Sequence, residues 1–144
     1  MSDYLSELDV LFNRTRRVLF LELENRLVAA GYTDLGPATA RSLMPIAEEG
    51  FISLSTLASD LGLHKATVTS LANRLEKAGY VSRRTDENDG RVSYLELTER
   101  GKSAARTVDS ILTDLSNRAF VSVTTEERAV LRRTLFQVIT NLGG

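Results

Sequence analysis

Between residues 55 and 97 two helical runs give way to two extended ones, and few folds accommodate that order. Ser55 followed by Thr56-Leu57-Ala58-Ser59-Asp60-Leu61 predicts a short capped helix, ended by Gly62. Val68, Leu71 and Leu75 recur at helical spacing in a second window, from about Lys65 to Ala78, with Gly79 as its stop. Two extended runs follow, Tyr80–Thr85 and Arg91–Leu97, around the polar turn Asp86-Glu87-Asn88-Asp89-Gly90. Two short helices joined through a glycine turn, the second leading into a hairpin, make a winged helix-turn-helix.

Helices flank this unit. From about Asp3 to Ala30, Leu5, Leu8, Phe12, Leu19, Leu23 and Leu27 recur at three, four and seven, and Gly31 supplies a stop. Pro37 suits the first position of the next helix, whereas Pro45 inside it must either kink or split it. Phe51-Ile52-Ser53-Leu54 predicts a short strand. Past the hairpin, a long helix from Thr98 carries Ala104, Val108, Ile111 and Leu115 in register. Thr124 and Glu127 have capping-box spacing, and Leu131, Leu135, Val138 and Leu142 form an apolar stripe beyond them. Periodicity alone does not say whether a partner helix or the chain's own core buries that stripe. The expected class is mostly α with a small β-hairpin wing. A winged lobe over 35–102 lies between helical regions, 1–34 and 103–144.

Composition removes whole classes of function. The 144 residues include no Cys, which excludes disulfides, thiolate metal sites and cysteine catalysis. A single His excludes a multi-histidine zinc site. No Gly-rich phosphate loop or nucleophile elbow is present, so no enzyme activity and no cofactor are expected. The acidic N-terminus lacks an apolar run, and no stretch approaches the ~20 apolar residues of a membrane span, so a soluble cytoplasmic protein is expected. The net charge of −1 conceals an uneven distribution. Residues 1–54 carry −3 and residues 63–91 carry +2, which places the cationic excess in the predicted winged unit.

The helical wheel supplies the chemistry. With Val68, Leu71 and Leu75 inward, Ala66, Thr69, Ser70, Asn73 and Lys77 face outward, flanked by Lys65 and Thr67. Small side chains let a helix approach closely in a major groove, while hydroxyls and amides hydrogen-bond base edges. Lys65, Arg83 and Arg84 are candidates for phosphate contacts that set register. Arg91 on a thin turn after Gly90 can reach a narrow minor groove, with Asp89 to hold its guanidinium.

The stretch Asp86-Glu87-Asn88-Asp89-Gly90-Arg91, followed by Leu97-Thr98-Glu99-Arg100-Gly101, resembles the wing of the MarR (multiple antibiotic resistance regulator) family. Leu57-Ala58, Leu61-Gly62-Leu63 and Val68-Thr69 resemble its helix-turn-helix, and Leu75-Glu76-Lys77-Ala78-Gly79-Tyr80-Val81 its helix-to-wing junction. The resemblance implies a homodimer with interlocking terminal helices, which assigns Leu5, Leu8, Phe12, Leu131, Leu135, Val138 and Leu142 to dimerisation. It implies repression at a pseudo-palindromic double-stranded DNA operator. There Thr67, Thr69, Ser70 and Asn73 contact DNA from the recognition helix and Arg91 from the wing. It further implies release by a small aromatic or phenolic effector bound between the dimer region and the winged lobe. His64 and Ala66 stand where the family often has small hydroxyl residues.

Simpler roles account for other residues. His64 reads as a solvated imidazole, Tyr80 and Tyr94 as packing residues of the wing, and Asp86, Glu87 and Asp89 as a solvated turn. Arg14, Arg16 and Arg17 are either surface or interface charges countered by Glu22 and Glu24, or an anion site. A winged-helix protein-binding adaptor is the alternative function, favoured by an apolar or acidic face over residues 65–77; here that face is polar with two Lys.

Overall fold

The computed structural model describes residues 2–143, with side chains from residue 7 onward, so the Leu5 side chain lies outside the described residues. The first helix, α1 (Ser2–Ala29), is followed by α2 (Pro37–Arg41), α3 (Leu43–Glu49), β1 (Phe51–Ser53), α4 (Leu54–Leu61) and α5 (Lys65–Lys77). Then come β2 (Val81–Thr85), β3 (Ser93–Leu97), α6 (Glu99–Ala119) and α7 (Thr125–Asn141). Among the described residues no helix is long and apolar enough to cross a membrane.

Pro45 splits the second predicted helix rather than kinking it. The chain breaks at Ser42, whose buried hydroxyl donates to the Thr39 carbonyl at 2.6 Å. Pro45 thereby falls in the first turn of α3, where a missing N–H leaves no intrahelical bond unmade. The next boundary also moves. Ser53, not Ser55, caps α4, its Oγ accepting from the Thr56 N–H at 3.0 Å. The strand is therefore one residue shorter, and Leu54 already belongs to the helix. Gly62 ends α4 in the left-handed region at φ 62°, a conformation that suits glycine.

The wing is a three-stranded antiparallel sheet in the order β1-β3-β2 rather than a free hairpin. Ile52 and Arg83 both stand opposite Leu95, on either side of the central strand. One apolar core runs through the chain: Leu23 and Leu27 of α1, Leu43 and Ile46, Leu57, Val68 to Leu75, Leu95, and Ala104 to Leu115 of α6. Ala72, absent from the predicted inward set, is fully buried there as well. Arg26 pairs with Asp114, and Glu22 pairs with Arg118 at 3.6 Å, which ties α1 to α6. Glu22 therefore answers a cation of α6 rather than the Arg14–Arg17 cluster. Arg16 instead lies over the Phe20 ring.

Thr98 caps α6 and Thr124 caps α7, the latter with the full capping box to Glu127. No residue of the α7 stripe is fully buried among the described residues. Leu131, Val138 and Leu142 are 42%, 38% and 83% exposed, and Leu135 is half-buried. Phe136 and Ile139 are exposed too, as are Leu8 and Phe12 in the N-terminal part of α1.

Candidate nucleic-acid interface

The buried row Val68, Leu71, Ala72 and Leu75 fixes the rotation of α5. That rotation leaves Lys65, Ala66, Thr67, Thr69, Ser70, Asn73 and Lys77 exposed on one surface, as the wheel predicts. The Thr69 hydroxyl donates to the Lys65 carbonyl at 2.9 Å, which leaves its oxygen free to act as an acceptor. His64 occupies the N-cap position without a side-chain cap bond, so the first N–H groups of α5 take no partner from it.

The wing tip is ordered by carboxylates acting on backbone. Asp86 accepts from the N–H of Asn88 at 2.7 Å and of Asp89 at 3.1 Å, and these bonds hold its carboxyl below the usual carboxylate range. Asp89 accepts from the Arg91 N–H at 3.0 Å. Its carboxylate is 4.0 Å from the Arg91 Nε, so it orders the backbone under Arg91 rather than clasping the guanidinium. The Arg91 side chain is 96% exposed. Gly90 does not take a left-handed conformation, so the turn does not depend on glycine there.

Arg83 and Arg84 leave β2 on opposite sides and meet different fates. Arg84 is exposed, with its guanidinium 5.6 Å from the centre of the Phe51 ring. Phe51 in turn meets Tyr94 edge-on at 5.5 Å. Arg83 folds back onto α5, donating from Nη2 to the Asn73 Oδ1 at 2.9 Å and lying 3.7 Å from the Glu76 carboxylate. Between α5 and the wing runs a groove of about 630 Å³, with Lys65 and Thr69 on one wall and Arg91 and Tyr94 on the other.

A second cluster joins this surface to the terminal helices, and the sequence reading missed it. Tyr80, fully buried between α5 and β2, donates to Asp34 at 2.5 Å. Arg100 lies over the Tyr80 ring at 4.3 Å, donates to the other Asp34 oxygen at 2.9 Å, and bonds the Ala78 carbonyl. The Thr98 hydroxyl donates to the Gly79 carbonyl at 2.6 Å, and its N–H to the Tyr80 carbonyl at 3.1 Å. Tyr80 is thus more than a packing residue of the wing. It fastens the end of α5, the start of α6 and the loop after α1 at one point.

Burial first, and the bond to Asp34 second, push the Tyr80 phenol well above its ordinary value. The Tyr80 bond, reinforced by Arg100, lowers the Asp34 carboxyl. A raised phenol pKa contributes stability that is complete below the unfolded value of about 10 and is lost as pH rises past it. Unfolding free energies from denaturant titrations between neutral pH and about pH 11 should therefore fall on the alkaline side, by up to about 1.4 kcal/mol per pH unit. Tyr80→Phe should lose that part of the alkaline slope; an unchanged slope would show that other groups set it.

Behind the interface, Leu19 and Phe20 of α1, Arg41 and Met44, Leu112 of α6 and Leu131 of α7 line an apolar cleft of about 870 Å³. The guanidinium groups of Arg16 and Arg41 each lie 5.6 Å from the Phe20 ring centre.

A winged helix-turn-helix with a polar, exposed second helix and an Arg-tipped wing defines the class of nucleic-acid-binding regulators. The MarR family model matches residues 37–93. The HTH-type transcriptional regulator SarZ of Staphylococcus haemolyticus is 31% identical over 110 residues, covering 75% of this chain and 72% of that protein. SarZ of Staphylococcus epidermidis is 33% identical over 100 residues, a match spanning 68% of this chain but just under two thirds, 65%, of that protein. The transcriptional repressor MprA of Escherichia coli is 30% identical over 95 residues, 66% of this chain and 54% of that protein. Among solved structures, Streptococcus pneumoniae FabT in complex with DNA superposes with a TM-score of 0.78 at 25% identity, covering 96% of each chain. The chain belongs to the MarR family, whose matched relatives are transcription regulators and not enzymes.

Proposed function

We propose that this chain is a homodimeric transcriptional repressor that binds pseudo-palindromic double-stranded DNA in the cytoplasm and is released by a small aromatic or phenolic effector. The observation that carries it is the exposed polar face of α5 beside a wing whose tip presents a free guanidinium. Two recognition helices, roughly 34–36 Å apart, enter successive major grooves, and Thr67, Ser70 and Asn73 face base edges. Ala66 and Thr69 permit close approach. Lys65 and Arg84 contact phosphates, while Arg83 supports Asn73 from behind. Arg91 enters the flanking minor groove, and Asp89 holds the backbone that aims it. SarZ and MprA are named as transcription regulators and FabT binds DNA, which supports this reading.

The division into a lobe over 35–102 and dimer helices over 1–34 and 103–144 places the apolar cleft at their junction. Its apolar walls and the two Arg beside Phe20 suit an aromatic carboxylate. An effector that fits the cleft better when the lobes are misplaced draws the population away from the DNA-competent form.

Titration of the protein into a duplex from its own upstream region, beside a scrambled duplex at two salt concentrations, tests the function. Tight salt-sensitive binding to the native duplex alone is expected. Arg91→Ala should weaken it by about tenfold or more without changing the far-ultraviolet circular dichroism. Aromatic acids added to the same complex should release the DNA. Equal, weak binding to both duplexes would favour a protein-binding role for the winged lobe.

A further inference from the structure

Asparagine reads adenine with both ends of its amide, giving an N–H to N7 and accepting from the N6 amino group. Asn73 is exposed in the middle of the outward face of α5, yet its oxygen already accepts from the Arg83 Nη2 at 2.9 Å. A guanidinium has only donors, so the amide is obliged to turn its oxygen toward Arg83 and its nitrogen away. No other hydrogen bond of the Asn73 side chain forms among the described residues.

Arg83 is itself held in place. It is half-buried on β2, opposite Leu95, and its Nε is enclosed by protein, 3.7 Å from the Glu76 carboxylate. The bond to Asn73 and the attraction of the Glu76 carboxylate hold the guanidinium against α5 rather than at the phosphates. Glu76 lies on the same helix, three residues after Asn73, so Arg83 bridges β2 to two side chains of α5.

We propose that Arg83 is a positioning residue that fixes Asn73 as a donor-only reader, so that Asn73 selects guanine and rejects adenine at the base pair it faces. The two amide hydrogens match the two acceptors of guanine, N7 and O6, whereas adenine offers N7 beside an amino donor, thymine O4 beside a methyl group, and cytosine an amino donor alone. The inference rests on the proposed DNA reading by α5.

Selection of bound duplexes from a random pool, with the full-length wild type, Asn73→Ala, Asn73→Asp and Arg83→Met, tests it. The pair read by residue 73 is the one whose preference disappears in Asn73→Ala. The wild type should carry guanine there, and 7-deazaguanine at that place should weaken binding about three- to tenfold. The same analogue should leave Asn73→Ala unaffected. Arg83→Met frees the amide to rotate and should move the preference to adenine at that pair alone. Asn73→Asp keeps a partner for Arg83 and so preserves the fold, and it should exchange guanine for cytosine, whose amino group needs an acceptor.

Adenine at that pair in the wild type, or guanine retained in Arg83→Met, overturns the role of Arg83 and leaves DNA binding standing. A motif in which no pair responds to Asn73→Ala overturns it as well. Absence of any enriched motif overturns the DNA reading, and the inference with it.

Discussion

Gly101→Ala is expected to lower the thermal midpoint by roughly 10 °C, although glycine to alanine within a helix ordinarily stabilises by about 0.5–1 kcal/mol. Gly101 lies in the first turn of α6, and a Cβ built there would stand 1.9 Å from the Tyr80 carbonyl oxygen and 3.0 Å from its carbon. Neither atom can rotate aside, because both belong to the backbone. That carbonyl accepts from the Thr98 N–H and hydroxyl, and Tyr80 is clasped by Asp34 and Arg100. Relief therefore requires α6 to move away from the end of α5, breaking these bonds together. Overpacking and the lost bonds add to about 3 kcal/mol. Differential scanning fluorimetry of wild type and variant decides it, and an unchanged or raised midpoint would show that α6 has room to shift. Because the same joint sets the angle between wing and recognition helix, DNA affinity should fall below the unfolding temperature too.

This joint marks the limit of what the sequence discloses. Leu97-Thr98-Glu99-Arg100-Gly101 is conspicuous as a motif, yet its reason lies in residues far away: Asp34 and Arg100 are 66 apart, Asp34 and Tyr80 46. Local signals fared differently. The helical period of Val68, Leu71 and Leu75 sets the rotation of α5, and with it the exposed set from Lys65 to Lys77. The Thr124–Glu127 capping box forms as its spacing requires, because both bonds close within one turn. The short strand before α4 was visible as an apolar run, but its partner β3 lies more than forty residues on, so pairing could not be read. Ser53 is both the last residue of that strand and the cap of α4, whereas the run after Ser55 suggested a cap two residues later. Arg83 left a usable trace as well. It is two residues after Val81 on β2, so strand alternation puts it on the same side as that buried residue and turns Arg84 outward.

Leu135→Asp is expected to give a monomer that retains its winged lobe and loses operator affinity by about a hundredfold or more. None of the residues of α7 is buried, although Val130, Leu131, Phe136, Val138 and Ile139 stand on it. Exposed apolar residues on α1, among them Leu8, Leu11 and Phe12, extend the same character to the other terminus. Apolar surface of this extent is covered in a stable protein, and a second copy supplies an identical complement. A carboxylate at Leu135 would have to be desolvated in that contact, whereas in the monomer it remains half open to water. The core from Leu23 to Leu115 does not include α7, so secondary structure and the α5 surface should survive. Operator affinity collapses because one lobe alone holds half a site, without the high effective concentration that tethering gives the second. Sedimentation equilibrium reports the mass and titration of the operator reports the affinity, and the two must change together. A monomer that binds the operator as tightly as the wild type would remove dimerisation from the mechanism, while an intact dimer would assign the contact to other residues of the terminal helices.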